Sequence, residues 1–195
     1  MKTEIWLVRH GQTEWNRLRR IQGTEDIELN EIGLQQAEQV AEYLKDAFFS
    51  VIVSSPLKRA FETAAIIQKR NKQQPPLVTD QDLVERDYGQ ISGLTYEEKA
   101  KLPKSEDYGV ETLERLTQRA AGVLDRLEAR YRGERLLVVS HGGFIKTLIS
   151  SSMGATYERS KIVIDNCSVT KLAHRDGQWE LIEQNIIEHL DGTLI

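Results

Sequence analysis

Three short runs constrain this chain more than anything else in it: Ile5-Trp6-Leu7-Val8, Val51-Ile52-Val53 and Leu136-Leu137-Val138-Val139. Each is apolar throughout. A strand with one face in water alternates apolar and polar residues, so an unbroken run of this length fits a strand buried on both faces of a parallel sheet. The segments between them step by three or four. Leu34, Ala37, Val40, Leu44 and Phe48 follow a capping residue at Asn30, and Leu57, Ala60 or Phe61, Ala64 and Ile67 follow Pro56, which suits a helix start. A longer stripe, Leu113, Leu116, Ala120, Val123, Leu127 and Tyr131, is capped by Thr112 or begins near Val110. Strands alternating with such helices predict an α/β fold, a three-layer sandwich with a mostly parallel central sheet and helices on both faces. Near the C-terminus, Ser168–Ala173 and Trp179–Glu183 flank Arg175-Asp176-Gly177-Gln178, where Asp-Gly marks a tight turn, so an antiparallel edge hairpin is expected. Residues 71–76 and 102–109 read as loops. With no repeat, low-complexity tract or linker, residues 1–195 are expected to form a single domain.

Composition narrows the function classes. The 195 residues carry 26 Lys+Arg and 30 Asp+Glu, a formal net charge of −4, which argues against a nucleic-acid binder that relies on bulk positive charge. No apolar run approaches the roughly 18 residues of a membrane span. The chain passes from Met1 almost directly into its first strand, without the pattern of a secretory signal, so a cytoplasmic protein is expected. The single cysteine, Cys167, excludes an internal disulfide and a multi-cysteine metal site, and reads as a small strand residue.

The polar residues gather at strand ends. His10 and His141 each stand just beyond an apolar run, and each precedes glycine, in Val8-Arg9-His10-Gly11 and Val139-Ser140-His141-Gly142-Gly143. Ligands of open α/β sheets bind beyond the carboxyl ends of the strands, so these two histidines are candidates to face one crevice. The glycines let the backbone approach a ligand closely. In Ser54-Ser55-Pro56-Leu57-Lys58-Arg59, Arg59 falls in the first turn of a helix, where its guanidinium can lean towards the same crevice. Arg9 and Arg59 offer the forked geometry that suits phosphate or carboxylate oxygens. Asp82, Glu85 and Asp87 are candidate proton donors, and local sequence does not choose among them.

Several chemistries lack their residues. There is no His-Glu-x-x-His or comparable cluster for a hydrolytic metal, no phosphate-binding Gly-x-x-x-x-Gly-Lys-Ser/Thr loop, no Gly-x-Ser-x-Gly elbow, and no Cys-x5-Arg phosphatase loop after Cys167. Histidine can itself be a nucleophile. With arginine partners it fits phosphoryl transfer through a phosphohistidine, without metal or other cofactor.

Five ordered blocks carry a family resemblance. They are Leu7-Val8-Arg9-His10-Gly11-Gln12-Thr13-Glu14-Trp15-Asn16 with Gln22-Gly23; Leu29-Asn30-Glu31-Ile32-Gly33 with Gln36-Ala37; Ser54-Ser55-Pro56-Leu57-Lys58-Arg59-Ala60; Glu85-Arg86-Asp87-Tyr88-Gly89; and Ser140-His141-Gly142-Gly143. Together they resemble the histidine phosphatase superfamily, also called phosphoglycerate-mutase-like, and within it the compact bacterial broad-specificity phosphatases. The resemblance implies that His10 is the phosphorylated nucleophile and that Arg9, Arg59 and His141 bind the phosphoryl oxygens. It implies Glu85 as the acid that protonates the leaving group and then serves as base for water. It also places Asn16, Gln22, Gly23 and Gly142 in the substrate pocket. The expected partner is a small phosphorylated metabolite.

Hydrolysis is favoured over a cofactor-dependent mutase activity. Mutases of this family carry a long basic insertion between the catalytic acid and the second histidine. Here the corresponding segment, Tyr96 to Val110, is short, and its basic residues are Lys99, Lys101 and Lys104. Where mutases offer a lysine after Gly93-Leu94-Thr95, this chain has Tyr96, and His141 precedes Gly-Gly rather than Gly-Asn. A non-catalytic phosphate-ester binder is the further alternative. Arg17-Leu18-Arg19-Arg20 can steer an anion or simply be solvated, Trp15 and Tyr88 can wall the leaving group or simply pack, and His174 and His189 read as surface residues.

Overall fold

The computed structural model describes residues 1–154 and 158–192. A six-stranded sheet runs in the order β3-β2-β4-β1-β5-β6, with β1 Thr3–Arg9, β2 Val51–Ser54, β3 Leu77–Thr79, β4 Arg135–Ser140, β5 Val169–Arg175 and β6 Gln178–Ile186. The first four named positions are parallel neighbours; β5 runs antiparallel to β1, and β6 antiparallel to β5. The α/β sandwich with its antiparallel edge hairpin is therefore the fold. Asp176 and Gly177, with φ of +52° and +82°, make the hairpin turn.

Period-two alternation within the apolar runs separates two cores. Ile5, Leu7, Val53, Leu136 and Val138 pack with Leu116, Val123, Phe144 and Leu148, from α5 Leu113–Arg130 and α6 Gly142–Met153. Val8, Ile52, Leu137 and Val139 pack with Val40, Leu44, Ala64 and Ile67, from α2 Glu31–Leu44 and α3 Lys58–Arg70. Two short helices, α1 Glu14–Arg17 and α4 Tyr96–Ala100, complete the set. Leu137 is fully buried in the central strand. Leu137→Ala would cost about 2–5 kcal/mol through lost transfer energy and a cavity.

Capping explains the helix starts. Asn30 accepts a hydrogen bond from the Gly33 N–H at 2.8 Å, and Thr112 accepts one from the Arg115 N–H. Other expectations need correction. Helix α3 begins at Lys58 with Leu57 as its N-cap, so Pro56 precedes the helix rather than opening it. Ala60 faces the core while Phe61 is exposed, and α2 ends at Leu44, leaving Phe48 exposed beyond it. Strand β3, with two of its three residues exposed, carries too little apolar pattern to be read from sequence. Cys167 is buried but lies before β5, at φ +54°, with its N–H donating to the Arg9 carbonyl. Neither His174 nor His189 is a free surface residue. His174 is half-buried against Trp179 and Glu128, and His189 stacks on Tyr43 and hydrogen-bonds the Cys167 carbonyl.

One contact fixes the loop after β1. A Cβ on Gly33 would lie 2.0 Å from the Gln12 carbonyl oxygen, and one on Gly11 would lie 2.4 Å from the Gly33 carbonyl oxygen. Gly11 therefore serves the close approach of two backbones, not the approach to a ligand that its place after a histidine suggested. Among the described residues no helix is long and apolar enough to cross a membrane.

Candidate active site

Strands β1 and β4 are parallel neighbours in register from Glu4 opposite Arg135 to Arg9 opposite Ser140. Their carboxyl ends therefore set His10 and His141 side by side, with ring centroids 5.1 Å apart. A cavity of about 310 Å³ opens beyond these ends, lined among others by Arg9, His10, Asn16, Gln22, Gly23, Arg59, Glu85 and Gly142. Of the nine residues that the family resemblance assigns to the site, all but His141 line it. His141 is fully buried behind the cavity wall, its Nε2 2.8 Å from the Ser55 hydroxyl.

The tautomer of His10 is fixed from both sides of the ring. Nδ1 lies 2.7 Å from the Gly11 carbonyl oxygen, which can only accept, so Nδ1 carries the proton. Nε2 accepts from the Arg59 Nε–H at 3.2 Å and therefore holds the lone pair. Burial, followed by the charges of Arg59 and Arg9, pushes the His10 pKa well below the usual imidazole value. The same causes, burial first, act on His141. Both rings are held neutral at pH 7.

Arg59 has no exposed surface, yet its guanidinium is anchored rather than paired with acid. Nη1 donates to the Glu25 carbonyl at 2.5 Å and Nη2 to the Gly23 carbonyl at 2.8 Å. Burial lowers its pKa to about 10, which leaves it protonated at neutral pH. Arg9 donates Nη1 to the Ile164 carbonyl at 2.8 Å. Among the described residues, its Nε and Nδ1 of His141 are buried without a hydrogen-bond partner. Unpaired buried polar atoms cost free energy, and of the two residues Arg9 lines the cavity.

Geometry separates the three candidate acids. Asp82 pairs with Arg126, and Asp87 is exposed and accepts from the Gly89 N–H. Glu85 alone of the three lines the cavity that holds His10. Its carboxylate accepts from the backbone N–H groups of Gly143 and Arg86, each at 2.8 Å. Gly143 is required for this: a Cβ there would lie 2.6 Å from the Glu85 carboxylate oxygen. Gly142 similarly admits Arg9, whose Nε would be 3.2 Å from an added Cβ.

Asn16 belongs to a capping box in which its Oδ1 accepts from Thr13, leaving its amide nitrogen as the group free to turn to a ligand. Tyr88 lines the cavity, whereas Trp15 packs over Gly93 outside it. Within the basic loop, Arg17 pairs with Glu14 in solvent, while Arg20 reaches the cavity and donates to the Gly93 carbonyl. Lys99, Lys101 and Lys104 do not line it; of the segment 96–110 only Tyr96 does.

Sequence reasoning missed three residues. Lys146 and Arg159 both line the cavity. Arg119, on α5, grips the segment that carries the acid: Nη1 donates to the carbonyls of Asp82 and Val84, and Nη2 to that of Glu85 and to the Glu111 carboxylate. The position of Lys146 one turn after Gly142 was the available signal for the first. Neither arginine stands in a motif.

A doubly buried sheet with paired neutral histidines, arginines and one acid at its strand ends defines an α/β enzyme class built to handle an oxyanion. A family model of the histidine phosphatase superfamily (branch 1) matches residues 5–187, and the chain belongs to that family as a phosphoglycerate-mutase-like phosphatase. It is 38% identical over 193 residues to a Bacillus subtilis protein named uncharacterized phosphatase PhoE, covering 98% of this chain and 99% of that one. An Arabidopsis thaliana metal-independent phosphoserine phosphatase is 35% identical over 206 residues, covering 98% and 84% respectively. Among solved structures, the Entamoeba histolytica phosphoserine phosphatase in complex with 3-phosphoglyceric acid superposes with a TM-score of 0.85 at 30% identity, covering 97% of this chain and all of that one.

Proposed function

We propose that residues 1–195 act as one catalytic unit that hydrolyses small phosphomonoesters, with His10 as nucleophile and Glu85 as acid and base. The observation that carries this reading is the lone pair on His10 Nε2, held in place by the Nδ1–H···O=C bond to Gly11 and flanked by Arg59. In the first step Nε2 attacks phosphorus while the ester P–O bond breaks. Arg59 turns its Nε–H from the imidazole to a phosphoryl oxygen, and Arg9 and His141 take the others. Protonated Glu85 gives its proton to the leaving oxygen, and the alcohol departs. In the second step a water attacks the phosphohistidine, Glu85 takes the water's proton, and phosphate leaves with the His10 lone pair restored. Most of the acceleration comes from positioning and from charge on the equatorial oxygens, where each donor contributes about 3–4 kcal/mol.

Hydrolysis rather than mutation follows from the segment 96–110. It contributes only Tyr96 to the cavity and keeps its lysines outside, so water has access to the intermediate. The test is phosphate release from p-nitrophenyl phosphate with EDTA present, in wild type and His10→Ala. The expected result is release by the wild type, unaffected by chelation and lost in the variant. Undiminished release by His10→Ala would remove His10 from the reaction.

A further inference from the structure

The loop that leads into β5 grips the end of β1 from behind the cavity. Ile164 lines the cavity, whereas Asn166 and Cys167 do not. The Cys167 N–H donates to the Arg9 carbonyl at 2.9 Å, and the Ile164 carbonyl accepts from Arg9 Nη1 at 2.8 Å. Between them, Asn166 donates Nδ2–H to the His10 carbonyl at 2.8 Å, and the same nitrogen lies 3.5 Å from Asn16 Oδ1. A carbonyl can only accept, so it is the amide nitrogen of Asn166, not its oxygen, that faces His10. The His10 N–H is given to the Ser140 carbonyl at 3.0 Å, so both backbone polar groups of this residue are held.

The loop is anchored on its far side as firmly as on its near one. The Ser168 N–H and hydroxyl both donate to the Asp165 carbonyl, at 3.1 and 2.8 Å, closing a turn whose third residue, Cys167, takes φ +54°. Left-handed backbone is uncommon outside glycine and persists where the surroundings over-determine it. Here Cys167 is fully buried, and His189 Nε2 lies 2.9 Å from its carbonyl oxygen. The other anchor comes from β6. Asn185, also at φ +54°, meets Asp165 as a matched pair: its Oδ1 accepts from the Asp165 N–H and its Nδ2 donates to the Asp165 carboxylate, both at 2.8 Å. The β5–β6 pairing shifts register after Val169, leaving an extra residue on β6 between Glu183 and Ile186, where Asn185 sits. A bulge of this kind re-aims a side chain out of the ladder.

Building on the reading of His10 as nucleophile, we infer that Asn166 is a positioning residue: one amide, held from β6 by the Asn185–Asp165 pair, fixes the backbone of the nucleophile and turns the Asn16 amide nitrogen to the substrate. Asn16 Oδ1 already accepts from the Thr13 N–H and hydroxyl, each at 3.1 Å. The longer contact from Asn166 adds a third donor to that oxygen, so Asn16 offers the cavity a donor and no acceptor. The Asn16 Nδ2–H groups then serve a phosphoryl oxygen beside the phosphorus that His10 attacks. A shift of the loop moves attacking nitrogen and donor together, and it costs more where the P–N bond is forming than in the bound ground state.

The test sets turnover beside two inhibitors. Orthovanadate takes the five-coordinate geometry of a phosphoryl group in transfer, with the attacking nitrogen as one ligand, whereas inorganic phosphate binds without that bond. Two variants are compared with wild type: Asn166→Ala, and Asn166→Asp, which keeps the shape but has no N–H to give. In both, kcat/KM for p-nitrophenyl phosphate, per folded molecule, is expected to fall about tenfold or more. Inhibition by vanadate is expected to weaken about fivefold or more beyond any weakening of inhibition by phosphate. Asn185→Gly keeps the left-handed backbone and removes only the amide, so it should show the same split, and it carries the test if the Asn166 variants fail to fold. A kcat/KM within about twofold of wild type in the folded variants, or equal weakening of both inhibitors, overturns the proposal. Failure of the nucleophile reading looks different: wild type itself would then bind vanadate no more tightly than phosphate, and His10→Ala would keep its turnover.

Discussion

Arg59 Nε lies 3.2 Å from His10 Nε2, on the ring edge opposite the Gly11 carbonyl that takes the Nδ1 proton. A permanent cation on the lone pair means that protonating this imidazole would break a hydrogen bond and place two positive charges in contact. His10 and His141 should therefore stay neutral well below the usual imidazole value, in line with the lowering that burial and the arginines impose. Two ring C2–H resonances that do not move between pH 8 and 6 are expected by NMR, assigned with His10→Asn and His141→Asn. A midpoint near 6.5 for His10 would contradict the geometry.

The same depression has a stability consequence. Below about pH 6.5 the unfolded chain takes up protons on these two histidines while the native state does not. The unfolded state then binds more protons, so stability falls as pH falls, by up to about 1.4 kcal/mol per pH unit for each ring. Urea midpoints measured at pH 7.5, 6.5 and 5.5 should decline, and the decline should be shallower in His141→Asn. An equal slope in that variant would show that the proton linkage comes from other groups.

Arg59 is the donor with the most to lose. Arg59→Ala removes both the hydrogen bond to His10 and the anchors to the Gly23 and Glu25 carbonyls. Turnover should fall about a hundredfold or more, the scale seen when one transition-state donor is deleted. Arg59→Lys should recover only part of it, because one ammonium cannot span Gly23, Glu25 and a phosphoryl oxygen together. Steady-state kinetics on a single ester compares the three proteins, and wild-type turnover in Arg59→Ala would exclude it from the site.

Arg119 acts through Glu85 without touching the cavity. It holds the carbonyls of Asp82, Val84 and Glu85 from one side while the Gly143 N–H holds the carboxylate from the other. Loss of either Glu85 or its clamp should matter most where the leaving group most needs a proton. With Glu85→Gln, hydrolysis of an alkyl phosphate should fall about a hundredfold or more, and that of p-nitrophenyl phosphate much less in the phosphorylation step. Arg119→Ala should show the same leaving-group dependence at about a tenth of the size. A uniform loss across leaving groups would make Arg119 merely structural.

How much of this was legible in the sequence follows from where the information lies. The strand runs betrayed their double burial locally, and His10, Arg59 and His141 each followed a strand in the same short pattern, so fold and central site could be read together. Glu85 was separable from Asp82 and Asp87 only by resemblance, because a turn, Gln81–Leu83, rather than a strand precedes it and no periodicity indicates which acid faces inward. Lys146 and Arg159 were hidden for a different reason. A lysine inside a helix looks solvated until the packing of α6 on the sheet is known, and Arg159 comes from a short turn outside any motif. Gly11 was read correctly as necessary but for the wrong neighbour, since the partner backbone lies at Gly33.

The glycines near the site divide into those serving the fold and those serving the chemistry, and substitution should separate them. An added Cβ at Gly33 meets the Gln12 carbonyl at 2.0 Å, a backbone atom with no rotamer to move, so Gly33→Ala must displace the loop after β1 or the start of α2. It should lose about 1–3 kcal/mol of stability, read as a lower melting temperature. At Gly143 the obstacle is the end of a side chain, the Glu85 carboxylate at 2.6 Å, which can swing away. Gly143→Ala should therefore keep a melting temperature near wild type while losing turnover, with the same preference for good leaving groups as Glu85→Gln, because the displaced acid is the cause of both. If Gly143→Ala instead unfolded early and kept its turnover per folded molecule, the carboxylate would not be where the reaction needs it.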